Sequence, residues 1–562
     1  MEVRHSAPRT LHSGKFGSCS PATGHAPGVN SPPSAERAAG SAWSPLRIAA
    51  FRALWLAQLG SMIGTWMQTV GAQWLLVDDP NAATLVSLVQ TASLLPMLLL
   101  ALPAGVLADS FDRRRLLITV QLLTFVTGVV LAGLSLAGDM PPALLLTFTF
   151  LLGCGAAVSM PPWQALIPDI VPRHEVRAAA ALGAVSMNLA RAVGPALAGF
   201  LITQFPVGVV FAVNAASYAV MAVVLLRWGP RSRVSGDVPE RFVPALRAGA
   251  RYVRHSQVVR RLLLRSALFV LPGTALWALL PLVATQRLGL GSGGYGLLLA
   301  ALGVGAVAGA VVLPRVAERL STGLMVFIAS LVYAAAQLGV VLVESLPLVV
   351  VLLLPAGAAW LAVLSTLGAA TQVFLPGWVR ARGLSVQQIV FMGGQAVGAL
   401  VWGLVGQYTG LVVAFVVASG LMALGAATIA VLPLHDTTGL SRAHAFYWPE
   451  PQLVTEPDPD EGPVLITVTF TVPDANVAPF LEAMTHVRAS RQRTGAARWS
   501  LYRDAADPSR FVEAYHVPSW DEHLRQHRDR LTGADQDIEA QALKLATGPP
   551  QVAHLFRARE PD

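Results

Sequence analysis

The run LLALPAGVLADSFDRRR, residues 99–115, decides the fold because an altered copy of it returns 204 positions later. Gly105 of this run is matched by Gly309 in GVGAVAGAVVLPRVAER, residues 303–319. The same shift carries Gly194 and Gly199 of ARAVGPALAGF onto Gly398 and Gly403 of GQAVGALVWG. Parallel halves related by an axis along the membrane normal are typical of transporters. The repeat therefore predicts a membrane protein built from two similar halves.

A further pair of landmarks supports the repeat. Gln164-x-x-x-Pro168 and Gln372-x-x-x-Pro376 lie 208 positions apart, as a small insertion between helices would allow.

The composition places the chain in the membrane class. Of its 562 residues, 54% are hydrophobic and only 13% are charged, against about 25% charged residues in a soluble domain. The net charge of +8 would suit a nucleic-acid partner, but the arginines cluster in short loops between apolar runs, as cytoplasmic membrane loops do. Cys19 lies in a polar tail and Cys154 in an apolar run, so we expect neither a disulfide framework nor a metal cluster from them.

Twelve apolar segments approach the roughly 20 residues that a spanning helix needs. The predicted spans are 52–76, 83–108, 115–137, 142–166, 178–203, 207–227, 262–285, 293–314, 322–343, 346–371, 384–407 and 411–433. Arginines are concentrated in the loops that follow the even-numbered spans, which predicts that these loops and both termini face the cytoplasm.

The spans divide the chain into six predicted parts in an all-α polytopic membrane protein with a small α+β domain. These are a disordered cytoplasmic tail (1–44), a first six-helix bundle (45–227), a cytoplasmic linker (228–261), a second six-helix bundle (262–433), a second linker (434–461) and a cytoplasmic domain (462–562). In the first linker, Arg241, Arg247, Arg251 and Arg254 have helical spacing. This spacing fits an amphipathic helix on anionic lipid or a solvated linker.

The loop run and the fifth span together resemble a known family. The run from Gly105 to Arg115 resembles the loop signature between the second and third helices of the major facilitator superfamily. The segment from Trp163 to Gly199 is similar to one branch of that superfamily, which includes the enterobactin exporter, macrolide efflux proteins and related secretion transporters. The resemblance implies the twelve-helix fold of that superfamily and export driven by protons.

The resemblance also implies a set of gating residues. Asp109 would latch the inward face shut by pairing with the N-terminus of a neighbouring helix, although ordinary solvation of the loop is the alternative. Gly105 would permit close helix approach, and Asp112 and Arg113 belong to the same loop. In the second half, Leu313 replaces the acid, so the ionic part of the latch is expected in the first half alone.

The Gly194, Pro195 and Gly199 group is a predicted small-residue hinge. Proline removes a helix hydrogen bond, and glycine lets a neighbouring backbone approach.

Arg191 is the sharpest candidate for a cavity residue. It lies near the middle of the fifth predicted span, where a charge costs at least about 2.5 kcal/mol. Since no Asp or Glu lies deep in a predicted span, its partner would be a backbone carbonyl, cavity water or an anionic group of the cargo. A structural role and a substrate or gating role both remain open.

Polar side chains on the first span form a second candidate. Gln58, Thr65, Thr69 and Gln73 share one helix face that Trp66 borders, either for helix-to-helix hydrogen bonds or for substrate lining. Four further candidates for the cavity, which mix aromatic and amide groups, are Asn188, Trp277, Gln388 and Gln395. A cavity of this kind suits a bulky amphipathic cargo.

The sequence gives little indication of how transport is coupled to an energy source. Proton antiport commonly uses a buried intramembrane carboxylate, and the spans offer none, so Asp109 or another site would have to couple. The chain has no phosphate-binding loop of the Gly-x-x-x-x-Gly-Lys-[Ser/Thr] type, so direct use of ATP is not expected, and no cofactor is predicted.

The order of predicted elements after residue 462 is βαββαβ, which is a ferredoxin-like sandwich. It resembles the dimeric α/β barrel domains of the antibiotic-biosynthesis monooxygenase type, which implies a dimerising or cargo-sensing module or an oxygenase. Trp499, Trp520, His523 and His527 are the candidate pocket residues. The i, i+4 spacing of the two histidines could suggest a metal pair, but with no third ligand evident we expect an exposed helix face and no metal.

The leading hypothesis is a non-enzymatic exporter of the inner (cytoplasmic) membrane that carries a siderophore, macrolide or other amphipathic metabolite. The predicted partners are the small-molecule substrate, the lipid bilayer and a second copy of the chain through the C-terminal domain. Two alternatives are a membrane-tethered monooxygenase that needs no cofactor and a lipid-flipping or import transporter of the same fold.

Overall fold

The structure, a computed structural model, describes residues 43–138, 140–172, 174–228, 242–434, 445, 447–448 and 457–558. Within helices, the side chains at 101–102, 106, 109–110, 228 and 242–248 are also outside this description. The predicted tail, most of the second linker and the side chain of Asp109 therefore fall outside the described residues.

Thirteen α-helices are described between residues 49 and 427. They run in the order α1 Ala49–Leu75, α2 Ala82–Ser110, α3 Arg113–Ala137, α4 Pro142–Ile170, α5 Val176–Gln204, α6 Val207–Trp228, α7 Phe242–His255, α8 Gln257–Leu282, α9 Ser292–Ala317, α10 Thr322–Leu342, α11 Leu346–Phe374, α12 Gly377–Thr409 and α13 Leu411–Ala427.

Eleven of these helices are long and apolar enough to cross a membrane, by the described residues alone. The first helix, α1, falls outside that set because its polar stripe and Arg52 make it less apolar, but its 27 residues match a predicted span. With α1 there are six long helices before α7 and six after it. The predicted fold class of two six-helix repeats is thus confirmed.

The repeat in the sequence is reproduced in the packing of the two halves. A Cβ built on Gly194 of α5 would lie 3.0 Å from the carbonyl oxygen of Ile63 in α1. A Cβ built on Gly398 of α12 would lie 2.9 Å from the carbonyl oxygen of Leu271 in α8. Each glycine thus seats the fifth helix of its half against the first helix of the same half.

The halves meet along two equivalent pairs of helices, which are α5 with α9 and α2 with α12. A Cβ on Gly199 would lie 2.8 Å from the carbonyl oxygen of Ser292 at the start of α9. Its counterpart Gly403 faces Ser87 of α2 without room for a Cβ. Matching glycines therefore allow close contact at both interfaces between the halves.

The C-terminal domain has a four-stranded sheet and helices in the predicted βαββαβ order. Its elements are β1 Val464–Thr471, α14 Val477–Thr494, β2 Arg498–Arg503, β3 Arg510–Val517, α15 Trp520–Arg525, α16 Gly533–Leu543 and β4 Gln551–Leu555. A π-helix, Gln526–Arg530, continues α15. The strands form one antiparallel sheet in the order β2-β3-β1-β4, with Ile466 opposite both Tyr515 and His554. Alternate residues of β1 are buried against α14. This packing forms part of the core of the domain.

The domain contacts the membrane bundle through α7 and α12. Glu522 of α15 pairs with Arg251 of α7 at 3.5 Å. The guanidinium of Arg530 lies 4.9 Å from the ring centroid of Trp378 in α12, and Tyr252 of α7 meets the same ring edge-on at 5.6 Å. Tyr252 is 2% exposed. The described part of α7 is thus a helix that contacts both the domain and α12, and its Arg254 is exposed. The lipid-surface and solvated-linker interpretations stay predictions, and Arg241 and the side chain of Arg247 lie outside the described residues.

Candidate functional site

A group of aromatic rings crosses from α1 in the first half to α8 and α11 in the second. The ring centroids of Trp66 and Trp277 are 6.0 Å apart, and those of Trp277 and Trp360 are 5.6 Å apart. We call the aromatic cluster the set of Trp66, Phe269, Trp277, Tyr333, Trp360 and Phe391. Centroid separations of about 4.5–7 Å are favourable for aromatic pairs. The cluster thus joins the two halves through apolar surface.

Arg191 of α5 lies against this cluster. Its Cζ is 5.8 Å from the ring centroid of Trp66, because Gly194, one helical turn further along α5, brings that helix close to α1. A cation above an aromatic ring gains about 0.5–2 kcal/mol, which is less than the cost of placing a charge at this depth. Among the described residues, the buried Nε of Arg191 has no hydrogen-bond partner. The guanidinium therefore retains unused donor capacity beside an aromatic surface.

The residues of the predicted polar stripe of α1 have three different surroundings. Gln73 is buried and accepts a hydrogen bond from the Tyr295 hydroxyl of α9 at 2.6 Å, so it joins helices. Gln58 lines a cleft between α1, α4 and α5. The hydroxyls of Thr65 and Thr69 donate to carbonyl oxygens one turn earlier in α1, at 2.9 and 3.0 Å.

The other predicted cavity residues occupy different surroundings. Trp277 belongs to the aromatic cluster and is 8% exposed. Asn188 donates from Nδ2 to the carbonyl oxygen of Ala184 at 2.9 Å. Gln395 of α12 is buried, whereas Gln388, two turns earlier on the same helix, is exposed. The structure therefore brings Trp66, Trp277 and Arg191 together.

Several contacts between the halves lie at the end of the bundle where α1 passes to α2. They include the Tyr295–Gln73 hydrogen bond, the Gly199–Ser292 approach and a hydrogen bond of 3.0 Å from Nε2 of Gln407 to the carbonyl oxygen of Pro80. Towards the end that carries α7, a Cβ built on Gly105 of α2 or Gly183 of α5 would meet nothing within 4 Å. The described contacts thus close the bundle at one end, and glycines on two interface helices stand clear of neighbours at the other.

The predicted gating loop makes its described contacts within the first half. Asp112 is the N-cap of α3 and accepts from the backbone N–H of Arg115 at 2.8 Å. Arg113 pairs with Asp169 at the end of α4 at 3.3 Å. Arg114 donates to the carbonyl oxygen of Leu225 in α6 at 2.9 Å. In this conformation the loop fastens α3 to α4 and α6, and no atom of the described residues lies within 4 Å of a Cβ built on Gly105.

Three residues of this region were not predicted as site residues. Trp360 is the centre of the aromatic cluster, but in the sequence it lies in an apolar run without any polar signal. Tyr295 lies between Gly294 and Gly296, and its role became evident only from its hydrogen bond to Gln73 of α1. Arg265 of α8 donates to the carbonyl oxygens of Gly425 and Leu432, both at 2.8 Å, and so satisfies the C-terminal end of α13.

A second candidate site lies in the C-terminal domain. The Nε2 atom of His523 lies 3.2 Å from Nε2 of His527 and 3.0 Å from Nε2 of His554. His554 is on β4, and it reaches the other two rings because β4 pairs with β1 beside the helix face. His523 is 1% exposed, so the expected exposed helix face is wrong for this residue. The third imidazole that the sequence did not show is supplied by His554.

Burial keeps these three imidazoles neutral. Burial, together with the neighbouring imidazoles, lowers the pKa of His523 to about 2 and that of His527 to about 4. Burial also lowers the pKa of His554. All three rings therefore present uncharged nitrogen atoms at neutral pH.

An ion-pair network lies beside the histidines. Arg491 of α14 donates from Nε to Glu513 of β3 at 3.1 Å and from Nη2 to Glu539 of α16 at 2.6 Å. Glu513 is 0% exposed and also accepts from Nε1 of Trp499 at 2.7 Å. Trp448, in the second linker, donates to Glu539 at 2.8 Å and meets the ring of His527 at a centroid distance of 4.7 Å. Trp448 thus links the network to the histidines.

Comparison with known families gives a match over nearly the whole chain. The model of a family described as "Transmembrane secretion effector" matches residues 40–561.

The most similar curated relatives include three transport proteins. A staphyloferrin A transporter of Staphylococcus aureus is 26% identical over 50% of this chain and 70% of its own length. Macrolide efflux protein A of Streptococcus pyogenes is 23% identical over 42% of this chain and 58% of its own length. The multidrug efflux pump Tap of Mycobacterium tuberculosis is 27% identical over 37% of this chain and 51% of its own length. The chain thus spans between about half and 70% of these relatives.

Solved transporters share the fold. A bacterial homologue of the human lysosomal transporter Spinster, in an inward-facing and unoccupied conformation, aligns with a TM-score of 0.52 and 17% identity over 69% of this chain and 95% of that one. The peptide transporter POT aligns with a TM-score of 0.56 and 15% identity over 68% of this chain and 95% of that one. At these identities the likeness concerns the fold alone.

Proposed function

Because the chain belongs to the transmembrane secretion effector family of multi-pass transporters, we propose that it exports a bulky organic molecule by alternating access. The two six-helix halves rock against each other, so that the path between them opens at one end at a time. The described contacts close the end where α1 passes to α2, which we assign to the outer side of the inner membrane. In this assignment both termini lie in the cytoplasm, as the distribution of arginines predicts.

The observation that carries the proposal is the guanidinium of Arg191 beside the aromatic cluster. A flat cation with unused donors next to Trp66 suits a cargo with an apolar or aromatic body and an anionic group. An anionic siderophore has both features. This match favours a siderophore over a macrolide, although relatives named for each are similar to this chain.

Protons are the proposed driving ion, with Asp109 as the first candidate for the coupling group. The deep parts of the described spans contain no Asp or Glu, so the candidate is taken from the helix ends, where the sequence places Asp109 close to the last residue of α2. The proposal assigns no catalytic step to the C-terminal domain. Trp499, one of the residues predicted for an oxygenase pocket, is engaged by Glu513.

Transport into inverted membrane vesicles tests the proposal. With an acidic vesicle interior, so that protons flow outward in exchange for cargo, vesicles that contain the protein should accumulate an anionic siderophore, because export from the cell becomes uptake in this orientation. The Arg191→Ala variant should lower the initial rate by at least about tenfold, equivalent to about 1.4 kcal/mol. The matched control is Arg177→Ala, which removes an exposed arginine from the same helix and should leave the rate unchanged.

Two outcomes would contradict the proposal. Net loss of cargo from the vesicles would reverse the assigned direction. Equal rates for wild type and Arg191→Ala, with normal amounts of folded protein, would remove Arg191 from the cargo path.

A further inference from the structure

Three histidine rings of the C-terminal domain converge on one small volume. His523 and His527 lie one turn apart on the segment formed by α15 and its π-helical continuation, and His554 comes from β4. Their closest ring nitrogens all lie within 4.8 Å of one another. A helical segment and a strand therefore hold three imidazole nitrogens close together.

Protons alone cannot satisfy this arrangement. A ring nitrogen of a neutral imidazole is either a donor or an acceptor. Nε2 of His523 faces two other ring nitrogens, at 3.0 and 3.2 Å. If Nε2 of His523 carries the proton, it can donate to only one of the two rings, and the other nitrogen is left without a hydrogen bond. If it carries none, its single lone pair can accept from only one of the two rings. The Nδ1 of the same ring is also buried without a hydrogen-bond partner among the described residues.

A metal ion resolves the conflict. Zinc binds imidazole nitrogen at about 2.0–2.1 Å in a tetrahedral geometry, which separates the ligand atoms by roughly 3.3 Å. The observed separations of 3.0 and 3.2 Å around His523 are close to that value. We propose that His523, His527 and His554 bind one divalent transition-metal ion through their Nε2 atoms, with Zn²⁺ as the first candidate.

The surroundings suit a bound cation shielded from bulk water. Trp520 packs against His523 at a centroid distance of 5.2 Å and against His554 at 5.7 Å. Trp448 covers His527 from the other side at 4.7 Å. The nearby positive charge of Arg491 is balanced by Glu513 and Glu539. Three histidines leave one position of a tetrahedral ion for water or a small anionic ligand.

The site is independent of the proposed transport function, because it lies outside the membrane bundle. It extends the sequence prediction of a histidine pair by the third ligand that pairing of β4 with β1 provides. Imidazole ligands favour Zn²⁺, Cu²⁺, Ni²⁺ and Co²⁺ over Mg²⁺ and Ca²⁺, so the latter two ions should not compete.

Metal binding by the purified full-length chain tests the proposal. After metal removal with a chelator, Zn²⁺ is titrated against a chromophoric competitor, and Co²⁺ is added to a second sample for its absorption spectrum. We expect one Zn²⁺ per chain that is absent from His523→Gln and His554→Gln. Each variant should weaken binding by roughly 100-fold or more, since even changes outside the ligand shell cost about 10- to 100-fold. His486→Gln is the matched control, because His486 is exposed on α14.

The cobalt spectrum of the wild-type chain tests the proposed site even if a variant does not fold. An intense tetrahedral spectrum from the wild-type chain supports the site, whereas the weak spectrum of hydrated Co²⁺ overturns it. The proposal also fails if folded His523→Gln and His554→Gln bind Zn²⁺ with the stoichiometry and affinity of the wild type, which would place the metal on histidines elsewhere in the chain.

Discussion

The hydroxyl of Tyr295 in α9 donates a 2.6 Å hydrogen bond to Oε1 of Gln73 in α1. Both side chains are buried, at 1% and 2% exposure, and they belong to different halves of the transporter. A bond of this kind exists only while the two halves are in contact at this end. It therefore stabilises the closed end relative to any conformation in which that end opens.

The Tyr295→Phe variant should shift the conformational equilibrium towards outward opening. Loss of one hydrogen bond costs about 0.5–1.5 kcal/mol, a change of roughly 2- to 13-fold in the population ratio. Distances between spin labels at Asp78→Cys and Gly291→Cys, two exposed positions at the closed end, report the shift after replacement of Cys19 and Cys154. An unaltered distance distribution would mean that the bond does not contribute to closure.

Substitution of Gly296 should weaken the same closure by a steric route. In Gly296→Ala, the new Cβ would lie 2.7 Å from the carbonyl oxygen of Pro195 and 3.1 Å from Cα of Gly199. These are backbone atoms, so α5 and α9 must separate. The control Gly293→Ala, one turn earlier, meets only Thr203 at 3.4 Å and should behave as wild type. The same spin labels and the vesicle transport rate measure both variants.

Neutralising Asp109 should impair transport more than neutralising its neighbour Asp112. Asp112 caps α3, so Asp112→Asn, which keeps a capping side chain, should change little. Asp109→Asn should lower the proton-driven rate by at least about tenfold, because the latch or the coupling step loses its charge. Equal transport rates for the two variants would mean that the loop sets the membrane orientation and that Asp109 has no latch or coupling role.

Removal of Arg491 should destabilise the C-terminal domain strongly. Arg491→Ala would leave Glu513, at 0% exposure, without its partner, and breaking a buried pair costs about 3–5 kcal/mol. Hydrogen exchange of the full chain, resolved to peptides between residues 464 and 555, should show faster exchange throughout the domain. Arg503→Ala removes an exposed pair with Asp474 and should cost less than about 1 kcal/mol.

The same domain should become less stable as the pH falls below about 4. Burial alone would raise the pKa of Glu539 and of Asp535, but the charges of Arg491 and Arg493 lower both. Because the folded-state pKa values are depressed, the contribution of these acids is complete above the unfolded values of about 4. It is lost as the pH falls through the folded values. Protection of α16 peptides in hydrogen exchange should therefore decline below about pH 4, and a constant protection factor there would contradict the network's role.

The architecture could be predicted from sequence because its signals are local or periodic. Apolar runs predict spans, and glycines repeated about 204 positions apart predict equivalent helix contacts, which Gly194 and Gly398 make in the two halves. Alternation in β1 likewise predicts its buried face.

The site could be predicted only in part, since its contacts join residues distant in the chain. Gln73 and Tyr295 are 222 positions apart, and the partnership depends on how the halves dock. Arg191 was evident as a charge in an apolar span, whereas Trp360 gave no signal. His554 is 31 positions from His523, and only the pairing of β4 beside β1 brings it close. The predicted homodimer and the domain boundaries stay predictions.

The contact of α15 with α7 and α12 gives the C-terminal domain a mechanical connection to the transport path. The segment that carries His523 and His527 also carries Glu522 and Arg530, which hold Arg251 and Trp378. Since energetic coupling between two sites is reciprocal, an ion that stiffens this segment would bias how easily α12 swings. If the proposed ion binds, each transport cycle would in turn alter how tightly it is held.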